Sequence, residues 1–119
     1  MANDFIRICT PNISNSSNST IYAVPAGAGS SALESIVIGI TMANKTSSGV
    51  TASIFIDNED GSNDVFIVKD ASIPAGASLE VMSGNKLVLQ NDGTNGDNLE
   101  AIASAANSVD VTVSILQDV

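Results

Sequence analysis

Lys69-Asp70-Ala71-Ser72-Ile73-Pro74-Ala75-Gly76-Ala77-Ser78-Leu79-Glu80-Val81-Met82-Ser83-Gly84-Asn85-Lys86-Leu87-Val88-Leu89 reads as strand, turn, strand, turn, strand. Pro74 holds φ near the value wanted at the second position of a β-turn and Gly76 takes the fourth, so Ile73-Pro74-Ala75-Gly76 is a turn with a physical cause. Ser83-Gly84-Asn85 is a second. The apolar pieces at 79–82 and 87–89 are too short for helices and suit a half-buried sheet.

The same grammar runs outward in both directions. Residues 35–43 alternate, with Ile36, Ile38, Ile40 and Met42 on one side and Val37, Gly39, Thr41 and Ala43 on the other; the first set is expected in the core. A polar loop at 44–49 leads to residues 50–57, where Val50, Ala52, Ile54 and Ile56 oppose Thr51, Ser53, Phe55 and Asp57. These two segments read as antiparallel neighbours. After an acidic loop at 58–64, residues 65–68 are apolar on both faces, which suits a central strand. Val24-Pro25-Ala26-Gly27 echoes the turn at Pro74, as an internal duplication or as two equivalent corners.

Two segments leave a choice open. At 98–106, Asp97 and Glu100 resemble a helix capping box and Leu99, Ile102, Ala103 and Ala106 have helical spacing, yet the context favours a strand followed by a turn at Asn107-Ser108. Residues 5–9 are β-prone and are set apart by 10–18, nearly all turn formers and small polar residues. That segment is either a strand of its own body, favoured by effective concentration, or an arm that adds a strand to a neighbouring molecule. The final segment alternates cleanly, with Val109, Val111, Val113 and Ile115 as a core strand. Together these predict an all-β fold, a single antiparallel β-sandwich of jelly-roll type, in which residues 1–18 form an N-terminal extended arm with its linker and 19–119 the sandwich domain.

A chain of 119 residues is one domain's worth, able to bury roughly two-thirds of its unfolded surface. Apolar residues make up 44% but aromatics only 3%, so Ile, Val, Leu and Ala must fill the core. Thirteen acidic against four scattered basic residues leave a net charge of −9, which argues against a nucleic-acid partner. No run approaches the ~18 apolar residues of a membrane span, and the first residues lack the pattern of an export signal. A lone cysteine, Cys9, excludes an intrachain disulfide and reads as a small packing side chain.

Candidate chemistry is sparse, and the expectation is a protein that is not an enzyme and carries no cofactor. Without histidine, Ser-His-Asp and Cys-His constellations and the usual zinc sites cannot be built. Calcium is the metal the acidic loops could suit, through Asp57, Glu59, Asp60 and Asp64 or through Asp92 and Asp97. Yet EF-hand spacing would put Ile56 and Ile67 at ligand positions, and no metal is expected. The Gly-rich run at 24–31 has no phosphate-loop pattern. Phe55 is predicted to face away from the main apolar stripe, as an interface residue or a sugar-stacking ring. With Phe5, Ile6, Arg7 and Ile8 of the arm, it completes the expected partner-binding set.

Tyr22-Ala23-Val24-Pro25-Ala26-Gly27, Ile36-Val37-Ile38-Gly39-Ile40, Ala43-Asn44-Lys45-Thr46, residues 68–80, Lys86-Leu87-Val88-Leu89 and Ala105-Ala106-Asn107-Ser108-Val109-Asp110-Val111 together resemble small β-sandwich virion structural proteins of tailed bacteriophages, those of marine and cyanobacterial phages in particular. The resemblance covers about 19–119 and rests on turn and core residues. It implies a non-enzymatic module assembled in a host cytoplasm and located in the virion, with the major capsid protein or other virion proteins as partners. It also implies a homo-oligomer, a trimer in the first instance, with neither nucleic acid nor membrane as partner. The role it points to first is a capsid decoration or cement protein. A neck, tail or fibre subunit is the alternative, and a carbohydrate-binding host-recognition module comes third.

Overall fold

The computed structural model describes residues 3–57, 64–82 and 86–118. Among them every regular element is a strand: β1 (Asn3–Thr10), β2 (Ser19–Ala23), β3 (Leu33–Asn44), β4 (Val50–Asp57), β5 (Asp64–Ile73), β6 (Ser78–Glu80), β7 (Leu87–Asn91), β8 (Asn98–Ala103) and β9 (Val109–Asp118). They form two antiparallel sheets packed as a sandwich. One has the order β1-β9-β3-β6, with β7 also on β3, and the other β2-β8-β4-β5. The chain crosses between sheets at every connection except β4 to β5 and β6 to β7, which is the double Greek key of a jelly roll, so β3 and β4 lie in opposite sheets and are not the antiparallel neighbours expected. β6 and β7 divide one strand position, pairing with opposite ends of β3.

The interior is aliphatic, as the composition requires. Val109, Val111, Val113 and Ile115 of β9 are buried, and face Val50, Ala52 and Ile54 of β4 and Leu99, Ala101 and Ala103 of β8 across the sandwich. Residues 98–103 are a strand, because Leu99, Ala101 and Ala103 supply one inward face with period two. Tyr22 ties the two sheets together. Its hydroxyl donates to Gln117 Oε1 of β9 at 2.7 Å and accepts from the Ser35 hydroxyl of β3 at 2.8 Å. Burial raises the phenol's pKa, partly offset by the Ser35 bond. A bulge between Thr20 and Tyr22 lets the consecutive Ile21 and Tyr22 both turn inward.

Bulges also account for two corrections. In β3 the register against β9 shifts between Val37 and Gly39, so Ile38 is the extra residue and the side-chain phase changes there. Val37, Ile40 and Met42 are buried, Ile36 is half-buried on the outer side, and Ile38 is 40% exposed rather than in the core. β5 is an edge strand and not a central one, with Val65 and Phe66 open to solvent. Its bulge puts Asp70 at φ 51°, and the buried Ser53 hydroxyl accepts the Asp70 amide at 2.9 Å.

The corner after β5 is a turn one residue later than expected. Ala77 N–H donates to Pro74 carbonyl at 3.1 Å, which places Gly76 third, with φ 69°. The buried Asn44 amide holds this corner, donating to the carbonyls of Ser48, Ile73 and Pro74. The sequence echo at Pro25 has another structure. There Val24 is pinned to the β7–β8 loop by its amide on Asp97 carbonyl and by Asn91 Nδ2 on its own carbonyl, and the tight bridge falls at Gly27 and Ser31. The turn expected at 83–85 lies outside the described residues.

Candidate assembly surfaces

β1 begins the surface that sequence reasoning singled out. It pairs with β9 over eight consecutive positions, from Asn3 opposite Asp118 to Thr10 opposite Val111, with no irregularity. Of the two placements open for this segment, the structure has the intramolecular one. Strand alternation then divides the expected contact residues. Ile6 and Ile8 sit opposite Ile115 and Val113 and pack against the core, whereas Phe5 and Arg7 face outward and are exposed. Cys9 follows them on the exposed side.

The tether behind β1 is anchored. Ile13, the one large apolar residue among the small polar ones of 10–18, is fully buried, and its amide donates to Val109 carbonyl at 3.0 Å. Burying such a side chain contributes about 1.5–3 kcal/mol. Asn12 donates its amide to Asp110 Oδ1 at 2.9 Å, and Ser14 carbonyl accepts from Ala103. With the Lys45 ammonium 3.0 Å from the same oxygen, the Asn12 bond holds the Asp110 carboxyl below its usual pKa.

Phe55 requires a correction. It does point away from the interior, but it is only 2% exposed. Its ladder partner Phe66 covers it, the ring centroids 5.1 Å apart, and Lys69 Nζ lies 5.2 Å from the Phe66 ring. Phe66, at 44% exposure, is the aromatic presented on that side. Phe55 is therefore not a surface contact in this fold.

The acidic loops divide similarly. Residues 58–63, including Glu59 and Asp60, lie outside the described residues. Asp92 is taken up by its own loop, accepting the amides of Thr94 and Asn95 at 2.8 Å each, which lowers its pKa. Asp97 accepts the Gln90 amide at 3.0 Å and is nearly buried. Among the described residues no three His, Cys, Asp or Glu side chains come together as metal ligands.

What sequence reasoning could not supply is the contrast among the sheet edges. β2 is short and bulged, β5 is bulged at Asp70 and carries Lys69, and β6 and β7 are short pieces. Such features blunt an edge against pairing with another chain. β1 is both long and regular, at the end of its sheet, hydrogen-bonded on one side to β9.

No family model matches the chain. No curated protein matches it either. Among solved structures, the disulfide-linked pili of Bacillus endospore appendages share 14% identity, covering 99% of this chain and 88% of that one, with a TM-score of 0.41. Infectious bursal disease virus Gx strain gives 12% identity over 97% of this chain and 32% of that one, TM-score 0.44. The STIV MCP gives 13% over 93% and 48%, TM-score 0.29. The structural neighbours thus include viral capsid proteins and a pilus protein. No role follows from likenesses this distant.

Proposed function

We propose that this protein is a structural subunit of a virion, a capsid decoration protein that attaches to the shell by offering the outer edge of β1 to a strand of the major capsid protein. The observation that carries the reading is that unblunted edge: eight residues in regular register, followed by an anchored tether and ending a sheet whose other margins are broken up. Main-chain hydrogen bonds along that edge would supply the affinity. The phage-protein resemblance of residues 19–119 supports the virion setting. The carbohydrate-binding alternative loses Phe55 as its stacking ring, since Phe66 covers it.

Counting copies per particle tests the proposal. Decoration requires hundreds, and rebinding of the purified protein to shells stripped of it. A dozen copies or fewer overturns decoration in favour of a neck, tail or fibre position.

A further inference from the structure

The outward face of the five-stranded sheet carries an apolar row that follows from the registers. Phe5 of β1 lies opposite Leu116 of β9, Leu116 opposite Ile36 of β3, and Ile36 opposite Val88 of β7. Four strands each contribute one large apolar side chain to a single line. Phe5 and Val88 at its ends are 78% and 56% exposed, and the bulge turns Ile38 out beside it. The five were not recognisable as a group in the sequence, where they are scattered over more than a hundred residues. Contiguous exposed apolar surface of this kind marks an interaction site.

The charges on either side of the row identify the occupant. On the flank reached by moving from Ile36 toward Ile38 stand Arg7, two residues beyond Phe5, and Lys86, two residues before Val88, both exposed and nearer the row than the exposed Glu80 of β6, which lies further out opposite Thr41. On the opposite flank stands the exposed Glu34, paired with Gln90. Arg7 and Lys86 are two of only four cations in a chain of net charge −9. The other two are engaged, Lys45 with Asp110 and Lys69 over Phe66. Among the described residues neither Arg7 nor Lys86 is in an ion pair. A row that is basic on one flank and acidic on the other complements itself. When two copies pack face to face about a two-fold axis running along the row, apolar meets apolar and each basic flank lies over the other copy's acidic flank. An axis along the strands would instead set like charges against each other.

We infer that this face pairs with the same face of a second copy of the chain, forming an isologous dimer. It goes beyond the role in the virion and does not depend on it, and it leaves the β1 edge open. Four strands at ~4.8 Å and roughly five to eight residues at ~3.3 Å make a face of about 300–500 Å2 per protomer, roughly 600–1,000 Å2 in all, at or below the small end of specific interfaces. The dimer is accordingly concentration-dependent.

Sedimentation equilibrium of the full chain from micromolar to millimolar concentration tests this. The expected result is a monomer–dimer equilibrium that Val88→Lys weakens by about tenfold or more without changing the melting temperature. Phe5→Ser serves as the second variant, on another strand, should Val88→Lys disturb folding. Glu34→Lys should weaken pairing, and adding Arg7→Glu with Lys86→Glu should restore it. A chain monomeric throughout, a trimer, a dimer indifferent to these substitutions, or a row that binds only capsid shells would overturn the inference.

Discussion

The two outward faces of the sandwich treat their aromatic side chains in opposite ways. On the four-stranded sheet Phe55 is roofed by Phe66 on the neighbouring strand, with Lys69 over that ring, so one aromatic is covered by another that stays partly exposed. On the five-stranded sheet Phe5 ends an apolar row that no part of the described chain covers. The difference lies in the partners across the ladder: an aromatic opposite an aromatic forms a lid, whereas single aliphatic side chains lined up across four strands form a strip. One face covers its larger aromatic contact from within the molecule, and the other has the composition of half an interface.

The largest effect expected is on the layer between the faces. Val113→Asp places an unpaired charge in the aliphatic interior and should abolish cooperative unfolding, while Ile38→Asp, on the outward bulge, should leave the urea midpoint nearly unchanged. Circular dichroism of both variants decides this, and equal damage would break the distinction of inside from outside. Next, Phe55→Ala should cost about 3–4 kcal/mol although it lies on an outward face, against about 0.5 kcal/mol or less for Phe5→Ala. Equal costs in urea titrations would erase the contrast between roofed and open faces. Tyr22→Phe removes a buried hydroxyl from Ser35 and Gln117 and should cost about 1–2 kcal/mol, with the β2 amides exchanging hydrogen faster.

The smallest effect concerns Asp110. Its folded pKa is depressed below the ordinary 3.8 by the Asn12 amide first and then by Lys45. A depressed carboxyl stabilises the fold above its unfolded pKa and loses that contribution as pH falls through the folded value. Asp110→Asn should therefore differ from the parent in urea midpoint at pH 5 and above, and the difference should shrink as the pH is taken below about 4.

The jelly-roll class was legible because turns and alternation are local. β9 and β4 present the inward residues their period-two pattern requires, and the strand at 98–103 follows from the same rule. Where the reading went astray, a bulge or a distant neighbour was responsible. One extra residue at Ile38 shifts the phase of β3, and nothing in Ile-Val-Ile-Gly-Ile signals which residue is extra. Val65 and Phe66 looked central because both faces of their segment are apolar, but an edge strand that roofs Phe55 needs the same residues. Ile13 carried a local signal that reading 10–18 as a polar linker passes over: a single isoleucine in a polar run is the natural anchor for the loop. The edge character of β1 and the row through Phe5 depend on strand order, which is set by pairings from about fifty to more than a hundred residues apart in sequence.

That long separation has a consequence in time. Among the described residues β1 pairs with β9, which emerges about a hundred residues after it in synthesis, roughly 5–20 s later at ordinary elongation rates. Throughout that interval Phe5, Ile6 and Ile8 have no ladder to join, on a ribosome followed by others making the same chain. Finished molecules nearby present the same β1 edge. The order of synthesis thus gives each nascent chain a period in which its first strand can be traded with a neighbour before its own last strand arrives to claim it.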